Sequence, residues 1–207
     1  TTAHTLSLHD ALPIFSEYVA LKVIEQVNGK NKMRKFLKRS LDTYLTQRTF
    51  ETKRENALMY NDGQGYIHYQ KGSLIFYALS DYIGEKVLNE TLSKYVDKVA
   101  FQSPPYTTSI ELVDDLREVI PDSLNYVIKD MFETITLYEN RILKAESKEL
   151  ENGKYQVDLE FRVSKYRNDE KGKMFYGNEE RDSIFYKSDD MKKPEDRKST
   201  RLNSSHQ

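Results

Sequence analysis

Apolar residues recur at helical spacing up to about residue 139 and alternate strictly beyond it, so the chain is expected to begin helical and end in strands. Phe15, Val19, Val23 and Val27 form one row, widened by Tyr18, Ala20, Leu21 and Ile24, and Asn28-Gly29 is a stop, which predicts a helix over 15–27. In Asn31 to Arg48 the apolar face is Met33, Phe36, Leu37, Leu41, Tyr44 and Leu45, opposite Arg34, Lys35, Lys38, Arg39 and Asp42. Thr49 to Asn61 is polar and aperiodic and reads as a loop of the kind that lines clefts. Gly63 to Leu79, GQGYIHYQKGSLIFYAL, breaks at Gly63 and Gly65. It then delivers polar groups to an apolar helix of Leu74, Ile75, Phe76, Ala78, Leu79, Tyr82 and Ile83 that stops at Gly84.

Lys86 to Val99 repeats the helical pattern through Val87, Leu88, Leu92, Tyr95, Val96 and Val99. Pro104-Pro105 forbids helix in Phe101 to Thr107, where Tyr106 is expected to anchor the turn. Thr108 and Glu111 have capping-box spacing ahead of Ile110, Leu112, Val113, Leu116 and Val119. Pro121 ends that helix, and Asp122 or Ser123 is expected to cap a last one burying Leu124, Val127, Ile128, Met131, Phe132 and Ile135. Arg141 to Leu150 and Lys154 to Lys165 flank Asn152-Gly153, the turn of a β-hairpin. Tyr155, Val157, Leu159, Phe161 and Val163 make its apolar face and Lys154, Gln156, Asp158, Glu160 and Arg162 its wet one. Met174 to Tyr186 has room for one or two more strands, and 187–195 is polar without a core signal.

Composition narrows the chemistry. A formal net charge of −1, with 31% charged residues, gives no global field for nucleic acid or an anionic membrane. The basic run KMRKFLKR lies opposite an apolar stripe, without interleaved aromatics to stack bases, and reads as a solvated helix face. There is no cysteine, which removes disulfide and thiol chemistry without fixing a compartment. No apolar run approaches the roughly 20 residues of a membrane helix.

Both ends read as foreign. Thr5 to Ile14, TLSLHDALPI, and Asp196 to His206, DRKSTRLNSSH, are in-frame translations of common sequencing-adapter strings, so 1–14 and 196–207 are expected to be assembly artefacts. His4, His9 and His206 fall in those segments, as does Asp10, which leaves His68 as the only native histidine. One histidine cannot supply the three-ligand set of a catalytic zinc site.

Two motifs carry a resemblance. The step Tyr69-Gln70-Lys71-Gly72 at a helix mouth, and Phe15, Ser16, Glu17 and Tyr18 at the start of the first helix, resemble the aminopeptidase N-like zinc peptidases, relatives of thermolysin by catalytic domain. The likeness runs from Phe15 to about Phe161 and includes PPYTTSIELVDDLREVIPDSLNYVIKDMFETITLYENR. It looks nearest to large bacterial members fused to membrane-transporter segments.

The resemblance implies a mainly α fold: the helical half of a thermolysin-like catalytic domain over 15–139, then a truncated antiparallel β-unit over 140–186. It implies that Tyr69 is catalytic. Attack of zinc-activated water on a peptide carbonyl creates a negative tetrahedral oxygen, and a phenol donor stabilises it beside the metal. The third zinc ligand, a glutamate, falls on position 13, which is Pro13 here, and the His-Glu-x-x-His helix would lie upstream. Zinc and a peptide substrate are therefore expected of an intact parent, with the fragment itself inactive. Nucleic acid is not expected as a partner, and a membrane only through segments outside this chain. Lys71 and Gly72 are expected to shape the helix start, Gly72 by permitting close packing. His68 is expected to be a chance neighbour or a cleft-wall hydrogen bonder. The competing expectation is a non-catalytic helical module binding peptides or partner helices.

Overall fold

The computed structural model describes residues 8–151, 153–169, 174–176 and 183–186, with side chains over 14–151 and 153–169. The expectations for Thr1 to Ser7, for Asn152 and for 187–207 lie outside the described residues. Within them the fold is mainly α, with six α-helices and a small antiparallel sheet. The chain divides into two compact units, helical up to Ile135 and stranded from Thr136.

In the helical unit, α1 (Leu8–Asn28), α2 (Met33–Arg48), a π-helical turn (Tyr66–Lys71), α3 (Gly72–Ile83), α4 (Glu85–Val99) and α5 (Ser109–Val119) follow one another. Gly29 and Gly84 hold the positive φ that ends α1 and α3 as their positions predict. The core gathers on Phe76, which is fully buried. Phe15 and Phe132 meet its ring edge-on at 5.7 and 5.8 Å, and Tyr18 meets it at a tilt at 6.1 Å. Such aromatic pairs add about 0.5–1.5 kcal/mol each beyond their area. No helix among the described residues is long and apolar enough to cross a membrane.

Several helix faces differ from their periodicity. In α1 the buried residues are Ile14, Tyr18 and Leu21, whereas Val19 and Val23 are 56% and 51% exposed and Val27 more so. An all-round apolar helix does not fix its own rotation. Here it is set by α3 and α4, with Ile14 on Gly72 and the Tyr18 hydroxyl donating to Asn89 Oδ1 at 3.1 Å. Val19 and Val23 then wall a groove of about 450 Å³ with Leu92 and Val96 of α4. In α2, Met33 and Tyr44 are buried but Leu41 and Leu45 are exposed.

The caps also differ. Thr108 precedes α5 without a side-chain cap bond, and its neighbour Thr107 donates to Glu111 Oε2 at 3.1 Å instead. Tyr106 is exposed. The turn is held by Thr107, whose N–H reaches Gln102 Oε1 and whose hydroxyl meets the Tyr95 hydroxyl. Neither Asp122 nor Ser123 caps a long helix. They lie in a 3-10 turn (Asp122–Leu124) ahead of a short α6 (Asn125–Ile128) and a π-helical end (Lys129–Glu133). Val127, Ile128 and Phe132 are buried as expected, and Ile135 already belongs to the first strand.

The second unit contains β1 (Ile135–Glu149), β2 (Tyr155–Asn168), β3 (Met174–Tyr176) and β4 (Ser183–Tyr186). The β1–β2 connection closes through Leu150 N–H to Lys154 O at 2.7 Å, with Gly153 at positive φ. Both β3 and β4 pair antiparallel with β2, through Tyr166↔Tyr176 and Phe161↔Tyr186, so both expected strands are present. The apolar face is less buried than alternation predicts: Tyr155 is 62% exposed and Val157 is also exposed, whereas Val163 is buried. Among the described residues the added strands pair with Phe161 to Ser164 and Tyr166 to Asn168, away from the hairpin tip.

Candidate functional site

Tyr69 sits where the chain is locally unusual. The segment Tyr66–Lys71 is π-helical, and the N–H of Gly72 reaches back to Ile67 O and Tyr69 O. Single π-turns inside helices are rare and concentrate at functional positions. Tyr66, Ile67, His68 and Lys71 are all buried, whereas Tyr69 is 41% exposed. Its ring lies edge-on to the His68 imidazole, centroids 4.5 Å apart. The phenol is thus presented outward from a rigid base.

The loop before the turn provides that base. Asn61 is buried and accepts the Gln64 N–H at Oδ1 (3.2 Å), which fixes its amide so that Nδ2 donates to His68 Nδ1 at 2.9 Å. The His68 proton therefore resides on Nε2. Gln64 accepts from the Asn56 N–H and donates to Glu51 Oε2 (2.5 Å), the carboxylate oxygen that also receives the Tyr66 hydroxyl at 3.2 Å. His68 is buried and hydrogen-bonded to Asn61. The polar stretch 49–61 is partly core, with Glu55, Ala57, Leu58, Met59 and Asn61 buried and Met59 O held by the Ser109 hydroxyl at 2.7 Å.

Behind the turn lies a charged cluster. Glu55 accepts the Tyr44 hydroxyl at Oε1 (2.5 Å) and pairs with Arg48 Nε through Oε2. Lys71 is buried, its Nζ 3.9 Å from Glu55 Oε1 and 5.4 Å from the centre of the Tyr44 ring, with no hydrogen-bond partner. Desolvation is the largest influence on this amine. With Arg48 acting in the same direction and Glu55 opposing, it is pushed down to about 8 from its ordinary 10.5. Burial, and then the Glu55 charge, push the Tyr44 phenol far up, and Tyr66 follows in the same direction.

A pH dependence of stability follows. Between pH 8 and about 10 the unfolded chain holds a proton on Lys71 that the folded chain has lost, so stability climbs with pH in that window. Above about 10 the unfolded tyrosines ionise while Tyr44 and Tyr66 stay protonated in the fold, so stability falls again. Urea midpoints at pH 7, 9.5 and 11 are expected to rise and then drop.

Gly72 behaves as its position predicts. A Cβ there would meet Ile14 Cγ1 at 3.0 Å and Cγ2 at 3.1 Å, and Ile14 is itself buried. Gly72→Ala is expected to cost about 1–3 kcal/mol of overpacking, offset by about 1 kcal/mol of helix propensity. Adding Ile14→Val should recover part of the loss in thermal melts.

Pro13 precedes Ile14 in α1, and it is Ile14 that rests on Gly72. Position 13 is proline, His68 Nδ1 is committed to Asn61, and among the described residues no group of three His, Asp or Glu side chains could hold a metal ion.

Sequence reasoning picked out Tyr69, Lys71 and Gly72 but not the Glu55 cluster. One signal was present: Lys71 falls four residues after Ile67 and four before Ile75, on the face that both apolar residues bury. Compared with known proteins, the chain matches no family model, no curated protein and no solved structure.

Proposed function

We propose that this chain is the rear half of the catalytic domain of a zinc aminopeptidase, thermolysin-like in architecture, followed by the start of its β-domain. The observation that carries the reading is Tyr69: it is the exposed tyrosine of a Tyr-x-Lys-Gly step, on a π-turn against which α1, bearing the second motif, is packed. A neutral phenol so presented can donate a hydrogen bond to the oxygen that becomes negative when a peptide carbonyl is attacked. On the same turn His68 and Tyr66 are buried and hydrogen-bonded, to Asn61 and Glu51, which limits the reorganisation the donor needs. Zinc and its ligands belong to the parent outside this chain, so no step through the metal is assigned to these residues.

A second reading has an observation of its own. The groove between α1 and α4 has Val19, Val23 and Val96 exposed along it, with Lys22, Glu85 and Asp97 among its polar lining, a mixed surface that the apolar face of a partner helix could cover, as in a non-catalytic binding module. The two readings part at the source DNA. A glutamate at the position now held by Pro13, with His-Glu-x-x-His upstream, supports the peptidase. A native read that continues as TLSLHDALPI, or substituted ligands, overturns it in favour of the module.

A further inference from the structure

The cluster behind the π-turn is unbalanced. One buried carboxylate, Glu55, serves two cations: Arg48 takes Oε2, the Tyr44 hydroxyl occupies Oε1, and the Lys71 amine is left at 3.9 Å without a hydrogen bond. With Lys71 protonated, Glu55, Arg48 and Lys71 carry one surplus positive charge between them, and the amine that bears it is desolvated. With Lys71 neutral they balance. Burying a charge without a hydrogen bond is costly, so the neutral amine suits this position better than the ammonium does.

The change of charge has a direct route to Tyr69. The two side chains do not need to touch, because the peptide that follows Lys71 supplies the Gly72 N–H that bonds to Tyr69 O, and both residues share one π-turn. We propose that Lys71 is the positioning residue for Tyr69: its charge state sets the seating of the π-turn and so the placement of the exposed phenol. The ionic groups that bear on the amine are Glu55 from the loop and Arg48 from α2, and among the described side chains of α1 and α3 no other is recorded as acting on it. Tyr44 of α2 faces it with its ring, stacked on Tyr66, whose hydroxyl meets Glu51. His68 belongs to the same turn. Desolvation holds the amine near 8, which places the change of charge within reach of ordinary conditions.

The catalytic meaning of this coupling rests on the reading of Tyr69 given above, but the coupling itself does not. An oxyanion donor displaced by a fraction of an ångström loses much of its effect. The charge-balanced form, with Lys71 neutral, is the well-seated one.

The chain as it stands permits the test. Tyrosine rings and lysine side chains are labelled with 13C. The Tyr69 signal is assigned by its loss in Tyr69→Phe and the Lys71 Cε signal by its loss in Lys71→Met, and both are followed by NMR from pH 6.5 to 9.5. The expected result is a common midpoint near pH 8, and a Tyr69 signal that no longer moves around that midpoint in Lys71→Met. A Tyr69 signal that stays flat while Lys71 titrates overturns the proposal. So does movement that persists in Lys71→Met, as it would if His68 were the source, and so does a Lys71 midpoint above 10. Should Lys71→Met fail to fold by circular dichroism, the wild-type pair of titrations decides alone, by common or separate midpoints. Failure here leaves the catalytic reading of Tyr69 standing, since turnover of the parent tests that. A failed turnover test in turn leaves the coupled titration intact.

Discussion

Replacing Tyr69 by phenylalanine in the intact parent is expected to lower kcat by about two to three orders of magnitude while leaving its zinc content unchanged, the scale seen when one oxyanion donor is lost. The substitution removes one oxygen. It leaves the ring that packs on His68, and Tyr69 is 41% exposed, so the fold has little to lose with the hydroxyl. The effect should fall on kcat more than on KM, because the hydrogen bond strengthens only as the carbonyl oxygen becomes negative. Steady-state kinetics beside metal analysis check this. An unchanged kcat removes Tyr69 from the mechanism, and a loss of zinc would mean that the variant acts through the site's structure.

The largest effect on stability is expected at Glu55. Glu55→Gln keeps the shape of the side chain but removes the carboxylate that Arg48 and Tyr44 both bond to, and takes the nearest counter-charge away from the buried Lys71 amine. Breaking a buried ion pair from one side costs about 3–5 kcal/mol, because the remaining charge stays desolvated. The deficit should shrink as pH rises from 7 to 9.5, since Lys71 can then be neutral in the fold. Urea unfolding of wild type and variant at both pH values measures it. The Lys71→Met, Glu55→Gln pair should lose less than the sum of its single changes, as expected for groups sharing one cluster. A deficit below about 1 kcal/mol at pH 7 would show that the carboxylate does not tie the loop to α2 and the π-turn.

Much of the local structure was legible because its causes are local. Gly29 and Gly84 stop their helices, and Gly153 follows the hairpin turn at positive φ, because a residue without Cβ is suited to those backbone angles. Apolar spacing of 3.6 in α3 and α4 and of 2 in β2 announced helix and strand for the same kind of reason. The Tyr-x-Lys-Gly step was legible as a motif, and Gly72 as the small residue on which a neighbouring helix rests. The caps were less so. Thr108-x-x-Glu111 has the right spacing, yet Glu111 bonds to Thr107, whose hydroxyl is also shared with Tyr95. The competing partner comes from another helix.

By itself, then, the sequence determined the order of elements, their terminators and the position of Tyr69 at the mouth of an apolar helix, all of which depend on neighbours within a few residues. The tertiary structure decided which face of α1 is buried, because an all-round apolar helix takes its rotation from what it touches, here Gly72 and Asn89. It also decided that the helix mouth winds as a π-turn, with Tyr69 outward and Lys71 inward. The surplus charge of Lys71 belongs to the same class. Its cause is a carboxylate in a loop and a guanidinium on α2, and only the folded chain brings all three together.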